Sequence, residues 1–359
     1  MDSFVILAIL LSIPMSMISV VILQRMGGMY GDWKTSFGIF IAITTVSSLL
    51  FACIGEGSKY ISTMDVEIIS GQITSKERKH GHYQRSYECF CTTDSKGNRS
   101  CRTCYEDRYT VKWKADSTLG NYTIKSLDES SKRVYNTPNP QRYTTINVGD
   151  PVADEHRYKN YMKGVPDEYS FNKNLGGNQE LLAKIPTYPR VFDFYMVNRV
   201  INLDGVLTAT QEVEYNKLIA NKLRTLGPQK EVNIILIAGK QDENLVYAVR
   251  EKWDGVKKND VVVVLGLEGE EIKTVNVLTW AKNELFKIRL QDRIDEHKAI
   301  DGVLEVVFNE VEHSFVRPKM QDYEDMKMYM QTPMWALITI FILLFGFPVI
   351  IVLFNKFQR

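Results

Sequence analysis

The sequence lacks several features that assign proteins to common functional classes. Its 44 lysines and arginines balance 43 acidic residues, so there is no basic excess to neutralise phosphates and nucleic acid is not an expected partner. It contains no phosphate-binding glycine loop, nucleophile-elbow serine or zinc-protease helix. Among its 5 histidines, His156, His297 and His313 are scattered and have no adjacent nucleophile. The sequence identifies no catalytic residue and no assured cofactor, which favours a binding protein over an enzyme.

Charge is also missing from three long apolar runs, residues 4–23, 37–54 and 334–354. Each run is close to the ~20 residues that cross a bilayer as a helix. The first is predicted to be a transmembrane helix, and the alternative is a cleaved signal peptide. Because no Lys or Arg precedes the first run and a second run follows almost at once, the signal peptide is disfavoured. Uncharged spans also argue against a transporter.

Cations near the apolar runs predict the orientation. The short loop between the first two runs carries Arg25 and Lys34, and the tail after the third carries Lys356 and Arg359. By the positive-inside rule, this loop and the C-terminus face the cytoplasm. The N-terminus and residues 56–332 are then extracytoplasmic.

The large segment between the second and third runs changes character along its length. Short strand-like runs separated by turn residues, including one at residues 143–146, come first. The basic stretch 76–82 is interpreted as a solvated loop, and the alternative is that His80 and His82 serve as ligands. We therefore predict five parts: two transmembrane helices with a cytoplasmic loop in residues 1–55, a β-rich cysteine-containing module in 56–157, a linker in 158–199, an α/β domain in 200–332, and a C-terminal transmembrane helix with its tail in 333–359.

Four of the 5 cysteines lie close together. Cys89 and Cys91 stand on one side of a glycine-containing turn, and Cys101 and Cys104 stand on the other. Residues 89 and 91 point to the same face of a strand, so a bond between them is sterically poor and pairing across the hairpin is preferred. The extracytoplasmic location predicts two disulfides of open connectivity, and a four-thiolate zinc site is the alternative. Cys53, in the second apolar run, is predicted to be a buried thiol.

Residues 200–280 alternate between helical and strand patterns. A helix N-capped by Thr208 and ended at residues 227–228 precedes an apolar strand at 232–237. A second helix, opened by Asp242, leads to a second apolar strand at 261–267. A further strand is expected at residues 272–278. This order predicts a sheet with helices packed on it.

The motif Asp204-Gly205-Val206-Leu207-Thr208 ahead of a helix, and residues 253–260 leading into an apolar strand, resemble the TPM domain. This small α/β module occurs in bacterial membrane-anchored proteins and in a thylakoid phosphatase-like protein. The resemblance extends through the helical stretches 285–294 and 302–315. It implies a membrane-anchored envelope protein whose extracytoplasmic domain mediates protein–protein interaction or assembly. The alternative is a metal-assisted phosphatase of the TPM type.

Some members of that family are described as binding calcium. Four carboxylates could converge at strand ends here, where a hard cation prefers oxygen ligands. The other interpretation is that turns and helix caps use Asp for local hydrogen bonds. The candidate metal ligands are Asp204, Asp242, Asp254 and Asp260.

The cysteine hairpin, together with residues 149–151 and 156–161, is similar to segments of uncharacterised membrane proteins of large bacteriophages and bacteria. That similarity implies a bacterial inner membrane with residues 56–332 in the periplasm. The expected partners are membrane lipid and either other envelope proteins or further copies of the chain. The predicted fold class is an α+β membrane protein with three transmembrane helices, a small β-rich disulfide module and an α/β TPM-like domain.

Overall fold

The structure is a computed structural model that describes residues 3–25, 33–164, 179–193, 195–297, 300 and 302–344. The chain divides into two compact units. The predicted mixed α+β class is confirmed, since the chain combines helices with two four-stranded sheets. The first unit comprises Met1–Asp65, Arg157–Lys173 and Lys319–Arg359, and the second comprises Val66–His156 and Asn174–Pro318.

The first unit is built mainly from apolar helices. Helix α1 spans Ser3–Arg25 and α2 spans Trp33–Ser62. Polar side chains join the two helices, because the hydroxyl oxygens of Ser12 and Ser48 lie 3.1 Å apart, a common contact between helices in apolar surroundings. Residues from α1, α2 and the later helix Met334–Leu344 share one apolar core, which consists of Val5, Ala8, Phe51, Ile340 and Leu344.

The number of candidate membrane spans is smaller than predicted. Within the described residues, one helix is long and apolar enough to cross a membrane, Phe40–Ser62, and a second candidate forms only if Met320–Tyr329 and Met334–Leu344 count as one span bent by 43°. The apolar part of α1, Val5–Ile18, is short of the ~20 residues that a crossing needs. Residues 345–354 of the predicted third span lie outside the described residues. The prediction of three transmembrane helices is therefore corrected to one or two.

The first sheet of the second unit is antiparallel where its register is defined. Strands β1 (Met64–Thr93), β2 (Arg99–Ser117), β3 (Gly120–Glu129) and β4 (Pro151–Lys159) are arranged in the order β3-β2-β1-β4. A short helix, α3 (Gln141–Thr145), follows β3 in the chain. Its position corrects the predicted strand at residues 143–146. Pro140 directly before it provides the fixed φ suited to a helix start.

The second sheet is mixed and has helices on both faces. Its order is β5-β6-β7-β8, with β5, β6 and β7 parallel and β8 antiparallel to β7. Alternate residues of β6 contribute to two separate cores, which explains its unbroken apolar sequence. The strands are β5 (Val200–Asn202), β6 (Asn233–Lys240), β7 (Asp260–Glu268) and β8 (Glu271–Thr279).

The helices of the α/β part divide between those two cores. The larger core includes residues of α5, α7 and α8, and the smaller one includes residues of α4 and α6. Thr208 caps α5 and forms a capping box with Gln211, as the sequence predicts for the cap. The helices are α4 (Gln179–Lys184), α5 (Ala209–Lys230), α6 (Leu245–Lys252), α7 (Glu284–Asp295) and α8 (Val303–Ser314).

Helix α5 does not end at residues 227–228, as its sequence predicts, but continues to Lys230. The glycine has another role. A Cβ on Gly227 would lie 2.5 Å from the carbonyl oxygen of Ser70 in β1, so only glycine permits this approach of helix and strand. The helix ends at Lys230, and the next residue, Glu231, caps it with a left-handed φ of 51°.

Candidate interaction surface and buried polar centres

Strands β1 and β2 extend beyond their sheet as a two-stranded hairpin, residues 83–108, which we call the hairpin arm. At its base Tyr83 lies opposite Arg108, and the pairing of β2 with β3 begins only at the next residue, Tyr109. On the β1 side, β4 begins opposite Ile73, ten residues before the arm, where the Ile73 N–H donates to the Asp150 carbonyl. Within the described residues no third strand pairs with the arm, so both of its edges are open.

The end of the arm is a tight turn organised by one carboxylate. Asp94 Oδ1 accepts hydrogen bonds from the backbone N–H groups of Lys96 and Asn98, at 2.9 and 2.8 Å. The bonds from Asn98 stabilise the charged form and hold the pKa of the Asp94 carboxyl below its ordinary value. Gly97 supplies the positive φ of 83° that the turn needs. The local sequence thus fixes where the chain reverses.

Two disulfides join the strands of the arm. Cys89 bonds to Cys104 and Cys91 bonds to Cys101, with Cα–Cα distances of 5.8 and 4.0 Å. The predicted cross-hairpin disulfides are confirmed, and they are nested. Glu88 lies beside the second pair, but the sulfurs of that pair are oxidised and offer no thiolate to zinc. The disulfides indicate an oxidising, extracytoplasmic compartment.

The fifth cysteine differs from its prediction. Cys53 is a free thiol, and its side chain is exposed rather than buried. It lies on the candidate membrane helix Phe40–Ser62, whose lateral surface would contact lipid rather than protein. An apolar helix of this kind explains why an apolar sequence context did not imply burial.

Large aromatic side chains project from the arm. Phe90 is 80% exposed and Tyr105 is 67% exposed, while Tyr83 and Tyr87 are about half exposed. Exposed arginines stand among them, at positions 85, 99 and 102. Tyrosine and arginine are the residue types that most often dominate the binding energy of protein interfaces. The arm therefore has the composition of a contact surface.

The predicted solvated loop at residues 76–82 is instead part of β1, directly below the arm. Its two histidines stack on aromatic rings. His80 lies 4.6 Å from the ring centroid of Tyr135, and His82 lies 4.8 Å from that of Tyr109. These contacts give the base of the arm an aromatic face.

A buried carboxylate joins four segments of the second unit. Glu67 in β1 is fully buried, and its Oε1 accepts from His156 Nδ1 at 2.8 Å, from Lys258 Nζ at 3.3 Å and from Arg317. Burial lowers the pKa of Lys258, which marks how far this centre is removed from water. Arg317 also contacts Glu231, the residue that ends α5. One carboxylate oxygen thus has three nitrogen partners, from His156, Lys258 and Arg317.

The other oxygen of that carboxylate has a different environment. Glu67 Oε2 is buried without a hydrogen-bond partner among the described residues, and so is Arg317 Nε. A buried polar atom of this kind costs free energy unless a water satisfies it. The arrangement holds β1, β4 and the residues before β7 together, and its high cost of disruption makes it a structural anchor.

A second polar centre lies at the amino ends of the parallel strands. Asp260, at the start of β7, accepts from the Tyr188 hydroxyl at 2.8 Å, from Asn233 Nδ2 at 3.0 Å and from the Lys257 backbone N–H at 2.7 Å. Burial raises the pKa of the Asp260 carboxyl to about 6. Arg199 Nε donates to Asn233 Oδ1 at 3.0 Å, which extends the network.

The buried Arg199 links that network to the first sheet. Its Nη2 donates to Ser70 Oγ at 2.8 Å, and burial lowers the pKa of its guanidinium to about 10. Asn259 Nδ2 donates to the Ile68 carbonyl at 2.8 Å close by. The β-rich segment and the α/β segment, predicted as separate parts, are therefore joined within one compact unit.

The four predicted metal ligands lie at two different edges of the second sheet. Asp204 and Asp242 follow the carboxyl ends of β5 and β6, whereas Asp254 precedes β7 and Asp260 is its first residue, at the amino end. Because these strands are parallel, the two pairs of carboxylates lie at opposite ends of the second sheet. Among the described residues, no three of these carboxylates gather within 4.8 Å of one another. The fold therefore offers the four no common centre.

Three of these carboxylates have a local role. Asp204 adopts a left-handed φ of 58° in the turn after β5 and lies 3.4 Å from Lys184 Nζ. Asp242 Oδ1 accepts from the Asn244 N–H at 2.8 Å just before α6. Asp254 adopts a left-handed φ of 53° after the same helix. These are the turn and cap roles that the sequence offered as the other interpretation.

Sequence patterns did not identify Glu67, Arg199 or Arg317 as members of buried centres. A signal was present for two other members, because Asn233 interrupts an apolar run and Asp260 directly precedes one. No protein-family model matches the chain, and no curated protein or solved structure matches it either. The TPM resemblance therefore remains a prediction that rests on the quoted motifs.

Proposed function

We propose that this protein is a membrane-anchored envelope protein whose extracytoplasmic part mediates protein–protein interaction through the hairpin arm. One observation carries the proposal: a two-stranded arm, closed by two disulfides, holds Phe90 and Tyr105 in solvent at 80% and 67% exposure. Large exposed aromatics mark contact sites more often than ordinary surface. A partner that covers these two aromatic side chains removes them from water, which favours binding.

The rigidity of the arm supports this role. A two-stranded hairpin is marginally stable in water, and each disulfide restricts its unfolded conformations. A contact surface that is already ordered loses less conformational entropy on binding. The disulfides therefore favour affinity as well as persistence of the arm in an oxidising compartment.

The proposal is tested by photo-crosslinking in native membranes. A photoreactive amino acid at position 90 is expected to give a protein adduct, because this side chain projects from the contact surface. The control position is Val213 in α5, which is 69% exposed but lies off the arm. An adduct at position 90 and none at position 213 supports the role. Equal yields at the two positions, or none at either, would refute it.

The sidedness of the proposal has its own test. Ser95 lies in the exposed turn of the arm, so a Ser95→Cys variant places a thiol there. A membrane-impermeant maleimide should label this variant in intact cells whose outer membrane has been permeabilised. Labelling that requires lysis of the inner membrane would place the arm in the cytoplasm and overturn the extracytoplasmic assignment.

A further inference from the structure

The outer edge of β2 in the hairpin arm, residues 99–107, presents backbone N–H and C=O groups that no strand pairs within the described part of the chain. An open edge is a template for another strand. Two strands alone are marginally stable, and three or more are needed for independent stability. Addition of a strand would therefore stabilise the arm.

A second copy of β2 fits this edge in an antiparallel register. Two identical antiparallel strands are related by a two-fold axis perpendicular to the ribbon, so the axis passes through a residue and directly opposed residues share a face. With the axis at Cys104, Arg102 of each copy lies opposite Glu106 of the other. Thr103 then lies opposite Tyr105. Opposite-charge pairs and aromatic–β-branched pairs both stabilise neighbouring strands.

Two nearby registers oppose like charges. An axis at Tyr105 would place Arg102 opposite Arg108, and an axis at Arg102 would place that arginine opposite itself. Like charges directly opposed across a strand pair are destabilising. The register about Cys104 also covers Tyr105, which is otherwise 67% exposed. An axis at Thr103 would oppose Arg99 to Asp107 but would leave Tyr105 opposite Cys101. The charge pairs together with the Thr103–Tyr105 pair therefore favour the register about Cys104.

We propose that the hairpin arm pairs with the arm of a second copy of this chain through β2, which forms a four-stranded antiparallel sheet centred on Cys104. This inference rests on the proposed function and names the partner of the same surface. The interface is isologous, so each favourable pair occurs twice.

Charge reversal tests the register in the full chain purified in detergent. Arg102→Glu turns two favourable pairs into two repulsive ones and should raise the dimer dissociation constant about tenfold, measured by sedimentation velocity. Lys96→Glu, the same change in the turn of the arm, should leave it unchanged. The double variant Arg102→Glu/Glu106→Arg should restore dimerisation. An Arg102→Glu variant that dimerises as well as Lys96→Glu would overturn the proposal.

A second measurement stays informative if a variant folds poorly. A photoreactive amino acid at position 105 in native membranes should give an adduct of twice the mass of the 41.3 kDa chain. An adduct with a different protein, and none with the chain itself, would overturn self-pairing and leave the proposed function standing. The absence of adducts at both 90 and 105 would overturn the two together.

Discussion

The hairpin arm and the mixed sheet of the α/β part are held together by different means. In β6 and β7 every residue but the last is buried, and each buried Val, Leu or Ile contributes about 1.5–3 kcal/mol. In the arm most side chains are exposed, and two disulfides join the strands. Burial maintains the sheet, whereas covalent bonds maintain the arm. The sheet thus has few side chains to offer a partner, and the arm has many.

The largest contrast is expected between core and arm truncations. Leu236→Ala removes a fully buried side chain from β6 and should lower the free energy of unfolding by about 3–5 kcal/mol. Phe90→Ala removes a larger side chain from the arm and should change the free energy of unfolding by less than about 0.5 kcal/mol. Denaturant titration measures both. A similar loss in the two variants would show that the arm shares the core.

Glu67 tests whether the buried anchor matters as much as the apolar core. Glu67→Gln removes the carboxylate that Lys258 contacts and one of the two that Arg317 contacts, and should cost about 3 kcal/mol. Glu88→Gln, on the exposed arm, is the matched control and should be nearly neutral. Thermal unfolding of both variants decides the matter. Equal stability would mean that the cationic groups find other partners.

Asp260 gives a pH dependence with a defined sign. Its pKa is about 6 in the folded chain against an ordinary 3.8, so the folded state binds the proton more tightly. Its contribution to stability is fully present below pH ~4 and declines as the pH rises to ~6, by about 3 kcal/mol in all. We expect the stability difference between the native chain and Asp260→Asn to change by most of this amount between pH 4 and pH 7.

Other carboxylates titrate in the same range, but they do so in both proteins and cancel in that difference. The free energy of unfolding is therefore measured for each protein at several pH values between 4 and 7. A difference that stays constant would indicate an ordinary pKa for Asp260 and a more hydrated site.

The smallest effect on global stability is expected from removing both disulfides. Replacing the four cysteines of the arm with Ser should speed amide hydrogen exchange in residues 83–108 about 100-fold, which corresponds to about 3 kcal/mol of local stability. The unfolding of the α/β part should change by less than about 0.5 kcal/mol, because the arm opens on its own. A matching loss of global stability would show that arm and sheet unfold together.

The elements predicted best are those whose burial determines their sequence. The apolar runs at 232–237 and 261–267 are strands because both faces of that sheet are covered by helices. The cap at Thr208 is equally local, since its capping box needs only Gln211. The cysteine pattern predicted the disulfides for a similar reason, because two pairs flank a short turn. In each case the determining contact is either close in sequence or purely apolar.

The features that sequence patterns missed depend on distant partners. The arm is exposed on both faces, so no alternation of buried apolar residues marks residues 74–93 as a strand. The partners of Glu67 lie as many as 250 residues away along the chain, and no local spacing indicates them. Within the described residues one or two candidate spans are found rather than three, and residues 345–354 of the third apolar run lie outside them.

Gly227 and Gly269 show how a mutational scan of this chain would read. Gly269 turns the chain between β7 and β8 at a φ of 64° with no atom within 4 Å of a Cβ, so Asn should substitute there with little loss of expression. At Gly227 even alanine would place a Cβ 2.5 Å from the Ser70 carbonyl oxygen and would force the helix and the strand apart. Selection should therefore tolerate a few residue types at position 269 and only glycine at position 227. The survival of variants would then reveal how closely α5 and β1 pack.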